Sequence, residues 1–106
     1  VRCWGYGGLG QLGYGNTDTI GDDEAPAQAG DVPLPGAVAS LAAGRSHTCA
    51  VLEDGRVACW GANNSGQLGL GHTNYIGDDE TVDAATGIVP LPGLVAEVTA
   101  GFEHTC

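Results

Sequence analysis

The sequence contains an internal duplication, and this duplication limits the folds that the chain can adopt. Residues 4–49 and 60–106 align along their whole length when one residue is inserted near Asp83, and they share the segments GQLG, IGDDE, VPLPG and HTC. The two tryptophans, Trp4 and Trp60, set a period of 56 residues. A period somewhat above 50 residues indicates a propeller blade or a solenoid unit, in which each repeat buries its faces against its neighbours.

Within each repeat the pattern predicts strands and turns, and no segment has convincing helical periodicity. The apolar runs at 38–44 and 95–101 end on glycine and predict buried inner strands. Residues 47–52 predict a second strand, 53–55 a hairpin loop, and 56–60 the returning strand. The GQLG segment predicts a short outer strand, whereas VPLPG, with its two prolines, predicts an extended connector.

The order of these motifs resembles that of the regulator of chromosome condensation repeat family. The residues that carry the resemblance are CWG, GQLGLG, the apolar run ending in AAG, and HTCAVLEDGRVACWG, together with the period. The resemblance covers both copies and implies an all-β fold of four-stranded blades packed radially into a β-propeller, with seven blades in family members. The NT-x-x-IGDDE segment and the paired cysteines resemble the secreted bacterial branch of that family.

The repeat boundaries divide the chain into a first repeat with its hairpin, residues 1–58, and a second repeat with an incomplete hairpin, residues 59–106. The first four residues match the returning strand at 57–60, and the sequence stops at Cys106, inside the first half of a hairpin. Two explanations follow. Either the blades belong to a larger single-chain ring, or neighbouring copies complete each other in an oligomer or filament.

Cys49 and Cys59 flank the predicted hairpin loop. With a three-residue loop at 53–55, the two cysteines lie directly opposite each other, close enough for a disulfide if they form a non-hydrogen-bonded pair. A zinc site that includes His47 is an alternative, although neither a fourth ligand nor a short C-x₂-C spacing is evident. A second alternative is that the two cysteines are buried free thiols. We expect the disulfide, which predicts an extracellular or periplasmic location.

In the repeat alignment Cys3 corresponds to Cys59 and Cys106 corresponds to Cys49, and the two lie at opposite ends of the sequence. In a single pair of blades they would lie far apart, at the two outer boundaries. We therefore expect each to pair with a cysteine outside this segment, or Cys106 of one copy to pair with Cys3 of the next. The second arrangement would link subunits into a closed ring or an open filament.

The segments around GDDE concentrate oxygen donors of the kind that bind calcium. The favoured alternative is that the aspartates form Asx-turns or cap backbone amides. The candidate calcium ligands are Asn16, Asp18, Asp22, Asp23 and Glu24 in the first repeat and Asp78, Asp79 and Glu80 in the second.

The tryptophans and two of the histidines occupy equivalent positions in the two repeats. Trp4 and Trp60 carry large apolar surfaces, and we expect them to pack between blades. His47 and His104 are expected to be half-buried imidazoles bonded to neighbouring backbone. A catalytic role is disfavoured because an active site usually needs one asymmetric constellation, which two similar repeats do not supply.

The charge restricts the classes of partner. Three arginines and no lysine face thirteen acidic residues, which gives a net charge of −10. This charge argues against nucleic acid and against anionic membranes as partners. No apolar run approaches the roughly 20 residues of a membrane span.

Together these features predict a non-enzymatic extracellular structural or assembly module, built of propeller blades and stapled by disulfides. Its expected partners are neighbouring blades, further copies of itself and other extracellular proteins. An extracellular adhesion or protein-recognition domain within a longer single-chain propeller is the alternative. Calcium is the one cofactor that the sequence suggests.

Overall fold

The computed structural model describes residues 1–83 and 86–106, and its regular elements lie near the middle of the chain. They are the single helical turn α1 (Pro26–Ala29) and the strands β1 (Val38–Ala43), β2 (His47–Leu52) and β3 (Val57–Gly61). Within the described residues the strands form a three-stranded antiparallel sheet in the order β1-β2-β3. We call it the central sheet.

The hairpin between β2 and β3 has the register that a three-residue loop predicts. The paired positions run from His47 opposite Gly61 to Val51 opposite Val57. At the loop, the Leu52 amide donates a 2.8 Å hydrogen bond to the Arg56 carbonyl. Gly55 has φ of +87°, a left-handed conformation that favours glycine. The sequence prediction of this hairpin is therefore confirmed.

The first apolar run does form a strand, but the prediction that it is buried is wrong. β1 is exposed or half-buried along its whole length, and Leu41 is 48% exposed. The reason is that β1 is the edge of the central sheet, paired with β2 on one side. The equivalent run at 95–101 does not form a strand, and Ala100 makes a single bridge to Thr105.

The core lies on β2, β3 and the loops of the second repeat. Trp60 is fully buried at its centre. The second repeat contributes Leu68, Ile76 and Val82, which pack against the hairpin. The remaining buried members of this cluster come from the hairpin, and they are Cys49, Ala50, Val51, Val57, Ala58 and Cys59.

The outer edge of β3 is bridged at isolated points rather than by a fourth strand in the described chain. Gly61 exchanges backbone hydrogen bonds with Ile76, and Ala58 bridges to Ile88. The predicted outer strand at GQLG is wrong, because this segment folds into consecutive turns. The Gly13 amide, for example, donates to the Gly10 carbonyl at 3.0 Å.

The first repeat makes several of the same outer contacts as the second. Gly5 bridges to Ile20 as Gly61 bridges to Ile76. The Val32 amide donates to the Val1 carbonyl at 2.8 Å, and the corresponding bond from Val89 to Val57 is 2.9 Å. The duplicated sequence thus produces duplicated backbone geometry. In the part of the chain that the structure describes, none of the helices has the length and apolar character of a transmembrane span.

Candidate functional site

A disulfide joins the two strands of the hairpin. Cys49 and Cys59 lie opposite each other with their Cα atoms 4.1 Å apart, and both side chains are buried. Because each sulfur is bonded to the other, neither is a thiolate ligand for zinc, and neither is a buried thiol. Within the described chain Cys3 and Cys106 form no disulfide.

A line of hydrogen bonds connects the first repeat to the second. The His47 Nε2 lies 3.0 Å from the Thr105 Oγ1, and the Thr105 hydroxyl donates to the Gln67 carbonyl at 2.8 Å. Since the hydroxyl proton is used in that second bond, the His47 Nε2–H must be the donor in the first. We call these three residues the seam. Its geometry requires a proton on Nε2 of His47.

The environment of His47 favours the neutral form of the imidazole. The residue is 1% exposed, and burial lowers its pKa from the usual value. Among the described residues no hydrogen-bond partner reaches Nδ1. The expectation that His47 is half-buried is therefore wrong, because the second repeat covers the ring and supplies a hydroxyl. His104, its counterpart, is exposed.

Gly44 makes room for the His47 ring. A Cβ added at Gly44 would lie 2.1 Å from His47 Cε1 and 2.6 Å from the Gly101 carbonyl oxygen. The second repeat has the same arrangement, with the His104 ring against Gly101. Glycine at these positions therefore reflects close packing by a histidine rather than a special backbone conformation.

We expect Gly44→Ala to lower the free energy of unfolding by about 1–3 kcal/mol, because the added methyl forces His47 out of the seam. Urea unfolding followed by tryptophan fluorescence measures the loss. Gly36→Ala is the matched control, since the nearest atoms to its added Cβ are 3.5 Å away. Equal stability of the two variants would contradict this account of the seam.

Trp60 and Thr48 share one backbone acceptor. The Trp60 Nε1–H and the Thr48 hydroxyl each donate to the Gln11 carbonyl at 3.0 Å. The bond from Thr48 to Gln11 corresponds to the bond from Thr105 to Gln67 in the second repeat. Trp60 thus packs between the repeats as expected. Trp4 does not, since it is 63% exposed and no part of the described chain covers its ring as the first repeat covers Trp60.

Asn63 organises the loop of the second repeat, and sequence reasoning missed it. Its side chain is fully buried. The Nδ2 group donates to the carbonyls of His72 and Asn74 at 2.8 and 2.9 Å, and Oδ1 accepts from the Leu68 amide at 3.1 Å. The first repeat has Gly7 at this position. That difference between the copies was the available signal.

The acidic segments form two compact groups. The carboxylates of Asp22, Asp23 and Glu24 lie within 4.8 Å of one another, and so do those of Asp78, Asp79 and Glu80. In both groups the first aspartate accepts a bond from the following amide, at 2.9 Å for Asp22 and 3.0 Å for Asp78. These bonds are the aspartate-to-amide contacts that the sequence favoured over calcium binding.

The other candidate calcium ligands of the first repeat bond locally. Asn16 Oδ1 accepts from the Asp18 amide at 3.0 Å, and among the described residues the Asp18 carboxylate is not a member of the acidic group. Within the described chain the structure therefore gathers three of the five proposed ligands of the first repeat and all three of those proposed in the second.

Glu80 is the carboxyl group most perturbed by this crowding. Burial, a hydrogen bond with Asp79 and the charges of Asp79 and Asp78 raise the pKa of Glu80 to about 7. The fold therefore favours the protonated acid. The resulting stabilisation is complete below the unfolded pKa of about 4.5 and is lost as the pH rises to 7.

We expect Glu80→Gln, which stays uncharged, to raise the melting temperature at pH 8 and to leave it nearly unchanged at pH 4. Thermal unfolding across this range measures the effect. Glu24→Gln at the equivalent position is the control and should show a weaker pH dependence, because burial is not the leading cause of its raised pKa. A pH-independent difference at Glu80 would argue against the assignment.

Two sequence profiles match this chain, and both describe the same repeat family. A profile described as the regulator of chromosome condensation (RCC1) repeat matches residues 2–51 and 54–106, and a second profile with the same description matches residues 38–67. The crystal structure of human WBSCR16 superposes on 64% of this chain and 15% of its own, with a TM-score of 0.54 and 28% identity.

Similar curated proteins come from plants and mammals. The ultraviolet-B receptor UVR8 of Arabidopsis thaliana is 38% identical over 99% of this chain and 22% of the receptor. The mouse secretion-regulating guanine nucleotide exchange factor is 35% identical over 97% of this chain and 20% of that protein. The human E3 ubiquitin-protein ligase HERC2 is 35% identical over 99% of this chain and 2% of the ligase.

The chain spans about a fifth or less of the length of these relatives. The profile matches cover both repeats and nearly every residue, and the central sheet with its duplicated bridges agrees with an all-β repeat. The chain belongs to the regulator of chromosome condensation repeat family.

Proposed function

We propose that this chain is a non-enzymatic structural module of β-propeller blades that works in an oxidising compartment outside the cytoplasm. The seam is the observation that carries the proposal. Its polar groups, from His47, Thr105 and Gln67, bond to one another and so hold the repeats together. Buried Asn63 likewise bonds to the backbone of its own loop. A chain that uses its buried polar groups for packing is suited to a structural role.

The proposed blade has four strands. The central sheet supplies three, and the segments bridged to β3 at Ile76 and Ile88 take the fourth place. Blades of this kind bury their faces against neighbouring blades. The exposed large apolar residues of the chain support such neighbours, and they are Val1, Trp4, Tyr6, Leu41, Leu91, Leu94 and Phe102.

The buried bond between Cys49 and Cys59 supports the location, because structural disulfides persist in oxidising compartments. The net charge of −10 suits a soluble module with protein partners. The disulfide is the support for extracellular or periplasmic placement, and the NT-x-x-IGDDE segment together with the paired cysteines is the support for the secreted bacterial branch of the family.

The length of the relatives favours a second candidate, a recognition domain within a longer single-chain propeller. These relatives are named as a receptor, an exchange factor and a ligase, so the shared repeat does not specify one activity. In this reading the apolar faces of the two repeats contact further blades of the same chain, and another extracellular protein binds the loops.

A double-mutant cycle tests the structural role. His47→Gln and Thr105→Val are made singly and together, and urea unfolding gives the coupling energy between the repeats. We expect about 1–2 kcal/mol, as for contacting residues in one hydrogen-bond network. Thr48→Val paired with His47→Gln is the matched control, since Thr48 bonds to Gln11 instead. Additive losses at His47 and Thr105 would remove the support for the proposal.

Export tests the location. The chain is produced with and without a signal for the bacterial periplasm, and thiol alkylation followed by intact mass counts the reduced cysteines. We expect well-folded protein with Cys49 and Cys59 oxidised from the periplasm, and a lower melting temperature for the cytoplasmic product. Identical melting temperatures with the cytoplasmic hairpin fully reduced would contradict it.

A further inference from the structure

A cleft of about 370 Å³ lies where loops of the first repeat meet loops of the second. The chain has two tryptophans, three tyrosines and one phenylalanine, and Tyr6, Tyr75 and Phe102 all line this cleft. Half of the aromatic residues therefore line one concavity. We call it the aromatic cleft. Aromatic side chains at a concave surface are typical of sites that bind another protein.

The aromatic cleft is asymmetric although the repeats are similar. Equivalent residues of the two copies line it together, and the members of each pair differ in chemistry. The tryptophans, GQLG and HTC are the same in both copies, so the differences are concentrated at the cleft and not in the packing of the repeats. The pairs are Tyr6 with Ala62, Arg45 with Phe102, and Ser46 with Glu103.

The loop that contributes Phe102 lies at the surface even in a repeat whose neighbour is in place. Arg45 takes the equivalent position in the first repeat, between Gly44 and Ser46. The second repeat packs against that part of the chain, since Thr105 contacts His47, yet Arg45 is exposed. Accessibility at this position is therefore a property of the repeat itself.

The Phe102 ring already carries a cation. The Arg45 guanidinium carbon lies 4.4 Å from the ring centroid, the arrangement in which aromatic faces attract arginine. In the part of the chain that the structure describes, the salt bridges are those of Arg2 with Asp31 and of Arg56 with Asp54. Arg45 thus takes the aromatic face without pairing to a carboxylate there.

Glu103 adds a carboxylate to the same cleft. The contact that the structure gives it is a 3.3 Å hydrogen bond from the Ser65 hydroxyl. A guanidinium that enters the cleft from outside can stack on Phe102 and also pair with Glu103, which makes two contacts where Arg45 makes one. Hydrogen bonds between a guanidinium and a carboxylate are among the strong ones in proteins. This difference favours exchange of Arg45 for an external arginine.

The loop below the cleft is held in place by its own side chains. Gln67 Oε1 accepts a 2.8 Å hydrogen bond from the Ser65 amide, and Gln67 Nε2 donates to Asn64 Oδ1 at 3.5 Å. Such a preformed loop reduces the ordering cost of binding. The net charge of −10 attracts a cationic partner over a longer range.

We propose that the aromatic cleft binds an arginine side chain from a basic segment of a protein partner. The partner's guanidinium replaces Arg45 on the Phe102 ring and pairs with the Glu103 carboxylate. Arg45 is then an internal competitor that covers the ring in the free protein. This inference goes beyond the proposed function, because it adds a site for a second molecule to a module whose structural role depends on the seam.

A short fluorescein-labelled peptide of alternating glycine and arginine tests the charge of the ligand. Its binding is followed by fluorescence anisotropy at physiological ionic strength. The same peptide with citrulline for arginine keeps the shape of the side chain and removes the charge. We expect the citrulline peptide to bind about threefold to thirtyfold more weakly, the range of a cation–π contact. Equal binding of the two peptides would contradict recognition of a cation.

Matched variants test the location of the site. Phe102→Leu should weaken binding of the arginine peptide about threefold to thirtyfold, whereas Trp4→Leu, at a ring of similar exposure (63% against 61%) outside the cleft, should not. Glu103→Gln should weaken it more than Glu97→Gln, which makes the same change of charge at an exposed residue outside the cleft. Equal effects within either pair would mean that net charge alone attracts the peptide, and would refute the site.

Arg45→Gln gives a test of opposite sign. Removing the internal competitor should tighten binding of the arginine peptide roughly threefold or more, and Arg2→Gln, with the same change of charge, should have a smaller effect. Equal gains for the two variants would contradict the exchange at Phe102. These changes leave His47 and Thr105 in place, so an intact coupling energy at the seam without peptide binding would refute this inference alone and leave the proposed function standing.

Discussion

Trp60→Ala is expected to lower the free energy of unfolding by about 3–5 kcal/mol, the usual range for removing a buried tryptophan. The ring is fully buried at the centre of the core, and its Nε1–H donates to the Gln11 carbonyl. The change therefore leaves a cavity and removes a hydrogen bond between the repeats. Domains of this size are typically stable by about 5–15 kcal/mol, so the variant should be close to unfolding at room temperature.

Far-UV circular dichroism during urea titration measures this loss, since the substitution removes the main buried fluorophore. The repeat supplies its own control. Trp4→Ala changes the same residue type at the equivalent position, where the ring is 63% exposed, and should cost less than about 1 kcal/mol in dilute protein. Similar losses for the two variants would mean that Trp60 does not organise the core.

The hairpin and its disulfide were predictable from the sequence because they depend on local geometry. A three-residue loop ending on Gly55 sets the register of β2 and β3, and the register alone places Cys49 opposite Cys59. The repeat period likewise indicated two similar units, and several backbone contacts recur in both. Information of this kind is contained in a short stretch of chain or in its second copy.

The exposure of β1 and the burial of His47 were not predictable, because both depend on which surfaces meet. An apolar run such as the one in β1 is buried only when another element covers it, and here it is the edge of the central sheet. The His47 ring is covered by the second repeat, which approaches it at Thr105. Neither composition nor periodicity shows which distant segments of the chain contact each other.

Asn63 and Glu80 illustrate a further limit. Asn63 stands where the first repeat has Gly7, whereas Glu80 lies in the shared IGDDE segment, and the roles of both depend on how the chain folds back on itself. The Asn63 side chain bonds to three backbone groups, and the crowding of Glu80 raises its pKa to about 7. The sequence predicted that acids gather here, but not that the pKa of one of them is raised to about 7.

Removing the disulfide by the double change Cys49→Ala, Cys59→Ala is expected to cost about 2–3 kcal/mol. The bond closes a loop across a sequence separation of 10, for which loop-closure entropy predicts slightly less than the ~3 kcal/mol of a 15-residue loop. The two alanines are smaller than the buried cysteines that they replace, and the resulting space adds a small packing loss.

Urea unfolding of the oxidised protein and of the double variant measures this difference, and the unmodified protein in dithiothreitol should approach the variant. Cys3→Ser, Cys106→Ser is the control, and in dilute solution it should retain the original stability because neither residue forms a disulfide within the described chain. Full reduction, verified by alkylation and mass, without a shift in the midpoint would show that strand pairing alone holds the hairpin. The disulfide would then give no support to an oxidising compartment.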